Sequence, residues 1–373
     1  MACILVIPDS FKGSLSSNEI CSIIKEVVVK GNFPHQLILR SVADGGEGSL
    51  EAMAQALDGD FINVSCTNHL GSPITAPFLH SKDTAVIELA RTAGLNLESR
   101  RDILRSSTKG VGEQIKHALD LNVKRIIICL GGSATNDMGL GMAHALGYRF
   151  LDKNGALVDP LPVNIPSICS IDTKDVDSRL SKVSFTCMCD VDNTLFGDNG
   201  AARIFAPQKG ANCEQIDFLD RALEHMSLVV SIFLGKNIAQ IKGSGAAGGT
   251  AAGAIAFLSA SLKKGIDIVL DSIDFDNLSS NCDYIFTGEG CLDKQSLSGK
   301  VVIGIAQRNA LLKNPSKVVA IVGSVDDSLQ DEFIKRGIYA VFPVIRGPST
   351  LEEAILESRN NLKATVYNLL KFI

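Results

Sequence analysis

The chain has 373 residues, 46% hydrophobic and 21% charged, with a formal net charge of −5 and ten cysteines. That length exceeds what one hydrophobic core usually serves, so two domains are expected. The acidic balance argues against a nucleic-acid or anionic-membrane surface but leaves room for a local basic pocket. The cysteines form no CxxC pair and read as reduced cytosolic thiols; Cys187 and Cys189 share one side of a strand. The opening "MACILVIPDS" has no basic segment, and its apolar run ends at Pro8 and Asp9, so it reads as a buried strand rather than a signal peptide. No apolar stretch approaches ~20 residues, so no membrane span is expected and the chain reads as cytoplasmic.

In chain order, "CILVI" (3–7) predicts a buried parallel strand, and Ser16 with Glu19 three residues on predicts the capped start of a helix. "QLILR" (36–40) predicts a second strand and "GSLEAMAQAL" (48–57) a second helix. Further strands are expected at "AVIEL" (85–89), "RIIICL" (125–130) and "VSFTCMC" (183–189). Helices are expected near 108–120, 137–147, 213–233 and 249–262. The last third repeats the pattern: "YIFTG" (284–288), "KVVAIVG" (317–323) and "YAVFPV" (339–344), with helices near 300–312, 328–336 and 350–371. Two strand–helix units at the front and three at the back make a flavodoxin-like doubly wound parallel sheet, interrupted by a second, inserted α/β domain. The expected boundaries are 1–60 plus 281–373 for the first domain and 61–280 for the insert.

Open parallel sheets bind ligands outside the carboxyl ends of their strands, and the polar clusters fall there. "PDSFKGS" (8–14), "VADGGEGS" (42–49) and "TGEGCLDKQSLSGK" (287–300) follow strands of the first domain. "LGGSATND" (130–137) and "CDVDNTLFGDNGAARIFAPQKG" (189–210) follow strands of the insert. These clusters are expected to meet in a cleft between the two domains. "GGSATND" is expected to open a helix, whose N–H groups and dipole suit an anion; a packing turn is the other reading. "GSGAAGG" (243–249) contains GxGxxG without the preceding strand, so dinucleotide binding is not expected. "CDVDNTL" resembles the DxDxT pattern of haloacid-dehalogenase-type phosphatases, in which the first Asp attacks phosphorus. In a different enzyme Asp190 and Asp192 would serve as a general base or Mg2+ ligand, and a plain Asp/Asn turn is the other reading. Lys12, Lys209, Lys300 and Arg203 all sit in the glycine-rich polar loops, as phosphoryl transfer would require.

Seven segments occur in the order seen in bacterial-type glycerate kinases: "PDSFKGSLSS", "ADGGEG", "GGSATND", "CDVDN", "GDNGAARIFAPQKGA", "GAAGG" and "TGEGCLDKQSLSGK". The chain resembles that family from about residue 4 to beyond 345. The resemblance implies ATP-dependent phosphorylation of D-glycerate at the 2-hydroxyl, giving 2-phosphoglycerate and ADP. A 3-phosphoglycerate product, a Mg2+-dependent phosphatase and a non-catalytic binding module are the alternatives. Three positions depart from the family pattern. Cys291 stands where arginine is usual, leaving its role vacant or filled by Lys294 or Lys300; Met138 replaces a glycine, and Ser244 an alanine.

With ATP and Mg2+ as cofactors, Gly131, Gly132 and Ser133 are expected at the donor phosphates, with Gly288, Gly290 and Lys209 also binding the nucleotide. Lys12, Lys209 and Lys300 would neutralise the transferring phosphoryl group. Asp190 is the favoured base, with Asp293 and Asp44 as alternatives. Arg203 is expected at the glycerate carboxylate and Ser10 at the substrate; Asp44 and Glu47 are expected at hydroxyls of substrate or ribose, or at Mg2+ through water, and Asp192 or Glu289 at Mg2+. Partners are expected to be small molecules only; a homo-oligomer is left open.

Overall fold

Short apolar runs bounded by polar turns set the strands. Those of the two main sheets are, in chain order, β1 (Cys3–Val6), β2 (Gln36–Leu39), β3 (Asp60–Thr67), β4 (Pro73–Ser81), β5 (Thr84–Glu88) and β6 (Arg125–Cys129). They continue with β7 (Ser184–Met188), β8 (Ser261–Lys263), β9 (Tyr284–Thr287), β10 (Lys317–Val322) and β11 (Ile338–Pro343). The structure, a computed structural model, describes residues 1–11, 13–40, 42, 49–235, 237–294, 296–298 and 301–373. Its contacts divide the chain into two units. The first comprises Met1–Asp44, Gln55–Leu57 and Ile266–Ile373, the second Gly45–Ala54 and Asp58–Gly265.

The first unit holds a five-stranded sheet in the order β11-β10-β9-β1-β2, every pair parallel. Numbered within the sheet, that order is 2-1-3-4-5, the flavodoxin-like order expected from the two front and three back strands. Helix Ser17–Lys30 starts where the sequence places it. Ser16 Oγ accepts the Glu19 N–H at 3.3 Å, and the Glu19 carboxylate accepts the Ser16 N–H at 2.9 Å. The helix buries Ile20, Ile23, Ile24 and Val27 against Ile4, Val6 and Phe286 of the sheet, beside Leu362, Val366 and Leu369 of helix Ser358–Phe372. Leu5, Ile285, Val318 and Ala320 are fully buried as well, so both faces of the sheet are covered, as parallel sheets require.

The second unit holds a six-stranded sheet in the order β8-β7-β6-β5-β4-β3. Its first four strands are parallel, and β5-β4-β3 run antiparallel. The β3–β4 hairpin is absent from the sequence-based expectation, because β3 alternates exposed and half-buried residues with little apolar contrast. Three helix expectations need correction. The helix expected over 249–262 is Thr250–Leu258; Ser259 turns left-handed at φ 53°, and 261–263 become the edge strand β8. The one expected near 137–147 is Leu140–Ala145. The final helix is two, Leu351–Leu356 and Ser358–Phe372, separated at Glu357, whose ψ of 0° leaves the helical range. Among the described residues no helix is long and apolar enough to cross a membrane.

The Ser16 cap gives a direct test. Ser16→Ala should lower the unfolding free energy by about 1 kcal/mol, read as a shift in urea midpoint with unchanged slope. An unchanged midpoint would mean that packing alone sets the start of this helix.

Candidate active site

In the second unit the loop that follows β6 carries the densest set of buried polar groups. Ser133, Thr135, Asn136 and Asp137 are all buried, and Lys209 is only 2% exposed. Lys209 reaches this loop from the short turn Pro207–Lys209; its Nζ donates to Ser133 Oγ at 2.8 Å and to the Thr135 carbonyl at 2.7 Å. Burial pushes the Lys209 amine down to about 7, against the opposing pull of the Asp137 charge. Asp137 is held from the other side. Its carboxylate accepts the Thr108 N–H and hydroxyl, both at 2.7 Å, and the N–H groups of Gly139 and Gly141 at 3.1 and 3.2 Å. Burial raises the Asp137 carboxyl and these donors lower it. Between the two anchors, Thr135 Oγ1 and both amide atoms of Asn136 find no partner among the described residues. Buried amides are normally paired, so these atoms fit a polar ligand or bound water.

The glycines that follow are needed for close approach. A Cβ on Gly248, which has φ +65°, would lie 2.0 Å from the Thr135 carbonyl that receives Lys209. One on Gly245 would lie 2.1 Å from the Thr194 carbonyl, and one on Gly253 2.1 Å from the Met138 carbonyl. The 243–253 segment is therefore backing for the loop, and Met138 N donates to the Gly248 carbonyl at 3.1 Å. Met138 itself sits at φ +53°, a left-handed position that explains why a glycine suits it. Ser244 is accommodated because its hydroxyl donates to the Ala239 carbonyl at 2.9 Å.

The helix-dipole argument for "GGSATND" does not hold. The helix begins at Leu140, three residues beyond the loop. Its first N–H groups are already taken: Leu140 by the Asp137 carbonyl, Gly141 by the Asp137 carboxylate and Met142 by Thr108 Oγ1. An anion at Gly131, Gly132 and Ser133 would meet loop amides instead. The loop lies against residues 93–95, with Ala134 N donating to Ala93 O at 2.7 Å and Leu95 N to Gly132 O at 3.0 Å.

At the end of β7, Asp190 and Asp192 are both exposed, and Asp190 Oδ1 accepts the Gly265 N–H at 2.9 Å. Arg203 lies in helix Ala201–Phe205, ion-paired with Asp217 at 3.2 Å and Asp220 at 3.5 Å, so a substrate carboxylate would compete with both. In the first unit, Ser10 follows β1; its N–H donates to the buried Asp9 carboxylate at 2.7 Å. Gly288 serves strand approach, since a Cβ there would lie 1.9 Å from the Ile321 carbonyl. Glu289 is buried, and the Gly290 carbonyl accepts the Ser324 N–H at 3.1 Å. Asp293 closes a turn with Ser296, whose N–H reaches Asp293 Oδ1 at 3.2 Å. Cys291 and Lys294 are exposed. Lys12, Asp44, Glu47 and Lys300 lie outside the described residues.

Sequence reasoning missed Thr108, Asn136 and Asp137 as parts of the site, and also the pair Glu88–Arg91. Glu88 is 2% exposed at the end of β5, 3.2 Å from Arg91 Nε, and Arg91 also meets Glu51. Thr108 follows a serine pair in "RSSTKG", which carries no motif; only its contact with Asp137 marks it. Among the described residues no three His, Cys, Asp or Glu side chains are grouped to hold a metal.

Buried Ser, Thr, Asn and Asp groups just beyond the carboxyl end of the parallel strand β6 lie where α/β proteins hold their ligands. The chain belongs to the glycerate kinase family, which it matches over residues 4–373. It is 40% identical over 371 residues to a glycerate kinase of Bacillus cereus, covering 98% of this chain and 96% of the relative. It is also 40% identical over 364 residues to the glycerate 2-kinase of Escherichia coli, covering 96% and 94%. A crystal structure assigned to a glycerate kinase 2 of Salmonella typhimurium LT2 superposes with a TM-score of 0.87 at 37% identity, covering 100% of this chain and 98% of that one.

Two outcomes test the Lys209 anchor. The folded amine titrates near 7 and the unfolded one near 10.5, so the unfolded chain holds the extra proton between them. The Lys209 contribution to stability is therefore lowest below pH 7 and grows as pH rises toward 10. The stability difference between wild type and Lys209→Met should shift in favour of wild type over that window; a flat difference would refute the burial effect. Gly248→Ala should displace the Thr135 carbonyl and cut kcat about tenfold or more, with turnover measured beside thermal stability.

Proposed function

We propose that the chain transfers the γ-phosphoryl group of ATP to the 2-hydroxyl of D-glycerate, giving 2-phosphoglycerate and ADP, with Mg2+ as the metal. The observation that carries this reading is end-to-end similarity to a relative named glycerate 2-kinase. The phosphatase reading of "DVDNTL" rests on about ten residues and is not favoured against a match that spans the chain.

In this reading the donor phosphates lie against the loop amides of Gly131 and Gly132 and the hydroxyl of Ser133. Lys209 fixes that loop from inside, a positioning role, because its ammonium is bonded within the protein. Thr135 Oγ1 and the Asn136 amide, without partners among the described residues, are groups that a bound hydroxyl or carboxylate would satisfy. Lys12 and Lys300 keep the role of neutralising the transferring phosphoryl group. Asp190, exposed at the end of β7, accepts or orients the hydroxyl proton. Mg2+ binds hard oxygens, commonly one or two carboxylates with phosphate oxygens and water, and the exposed carboxylate of Asp192 fits that chemistry. Glu289 is the alternative ligand. The metal supplies charge neutralisation at the phosphates when bound. We place the protein in the cytoplasm, as suits a small-molecule kinase.

The test is a coupled assay of ADP release with D-glycerate, followed by analysis of the product. 2-Phosphoglycerate supports the proposal; 3-phosphoglycerate overturns the position of transfer, and no release overturns the activity. Asp190→Asn should lower kcat about a hundredfold or more while leaving ATP binding unchanged. A near wild-type rate would move the base elsewhere.

A further inference from the structure

At the amino-terminal edge of the first unit's sheet, two thiols meet. The sulfurs of Cys3 and Cys282 are 3.2 Å apart, although 279 positions separate them in sequence. The strand register brings them together. β1 and β9 are parallel neighbours with Ile4 opposite Tyr284, and one step earlier Cys3 and Asp283 share two hydrogen bonds. Cys3 N donates to the Asp283 carboxylate at 2.8 Å, and Asp283 N donates to the Cys3 carbonyl at 2.9 Å. Cys282 is fixed further by its N–H to the Ser279 carbonyl at 3.0 Å and by the Ser316 hydroxyl on its own carbonyl at 2.7 Å. Both side chains are half-buried, and all ten cysteines of the chain are free thiols. A disulfide needs sulfurs about 2.05 Å apart, so roughly 1 Å of approach separates this contact from a bond, within reach of side-chain rotation.

We propose that Cys3 and Cys282 are a redox modification site, oxidised by peroxide to a reversible disulfide that joins the two chain segments of the first unit's sheet. The Cys3 sulfur attacks one oxygen of hydrogen peroxide, the O–O bond breaks, and water leaves with formation of a sulfenic acid on Cys3. The Cys282 sulfur then attacks the Cys3 sulfur, the S–O bond breaks, and a second water carries away the hydroxyl and the Cys282 proton. The sum is two thiols and one peroxide to one disulfide and two waters. Reduction by a dithiol reverses it. Burial, the Cys3 thiol and the Asp283 charge push the Cys282 thiol up to about 12, so Cys282 is the protonated member of the pair at neutral pH. The exposed free thiols Cys169, Cys213 and Cys291 provide internal controls.

The experiment treats the full-length protein with a small excess of hydrogen peroxide, caps remaining thiols with iodoacetamide, and maps non-reduced peptides by mass spectrometry. The expected product is a linked pair of peptides carrying Cys3 and Cys282, lost on treatment with dithiothreitol. Closing so long a loop should raise the thermal midpoint by about 3 °C or more, a rise reversed by the reductant and absent in Cys282→Ser. Recovery of Cys3 and Cys282 as separately capped or over-oxidised peptides would overturn the proposal, as would linkage of either to Cys169, Cys213 or Cys291. The peptide map is read on the wild-type chain, so it decides the question even if a variant folds poorly.

Discussion

An ammonium group cut off from water must be held by oxygen dipoles or give up its proton, and Lys209 is poised between the two. Its two oxygen partners both belong to the loop after β6, so the shape of that loop and the protonation of the lysine form one equilibrium. Asp137 sits two residues beyond the second partner and is itself tied to Thr108 at the start of helix Lys109–Asp120. The loop is thereby pinned at both ends by charged groups that never reach the surface. Asn136 lies between the pins, fully buried, with its amide unclaimed among the described residues. Rigid anchors on either side of an unsatisfied amide are what a preorganised polar site requires.

Those anchors work because side chains are missing behind them. Gly245, Gly248 and Gly253 let three backbone segments approach to distances that a methyl group would prohibit. Met138 shows the cost of ignoring that rule, since a left-handed φ in a residue with a Cβ disfavours the fold by roughly 1–2 kcal/mol. Ala247 carries the same conformation one residue before Gly248. Strain therefore accumulates on both sides of the contact between Met138 N and the Gly248 carbonyl. Strain of this kind persists only where surrounding packing over-determines it, and it clusters at functional sites.

Much of this was legible in the sequence, for identifiable reasons. The five strands of the first unit are short apolar runs closed by turns, and their flavodoxin-like order fits two strands at the front and three at the back. The Ser16–Glu19 cap is a local signal and is found where expected. The β3–β4 hairpin was not legible, because a strand with one wet face and weak contrast looks like loop. At the candidate site, glycine-rich strand ends marked segments in the sequence, but not the partners each residue has there. Lys209 reads as a phosphate-binding cation, and its Nζ is bonded to Ser133 and Thr135; Arg203 reads as a carboxylate ligand, and it is paired with Asp217 and Asp220. Charge and loop position are visible in a sequence, whereas the partner that consumes a charge lies many residues away and is not.

A parallel sheet also separates its two edges chemically. In the first unit the carboxyl ends of β1 and β9 lead into Asp9, Ser10, Glu289 and Asp293, while their amino ends carry Cys3 and the residues just before Tyr284. Four residues of strand at about 3.3 Å each put roughly 13 Å between those edges. A bond formed at the thiol edge therefore constrains the frame without entering the loops that carry polar chemistry. The first unit is assembled from segments far apart in sequence, and its sheet forms only when β1 and β2 meet strands from the back of the chain. Closing such a long connection is an entropic term in folding, and a covalent link at Cys3 and Cys282 acts on that term.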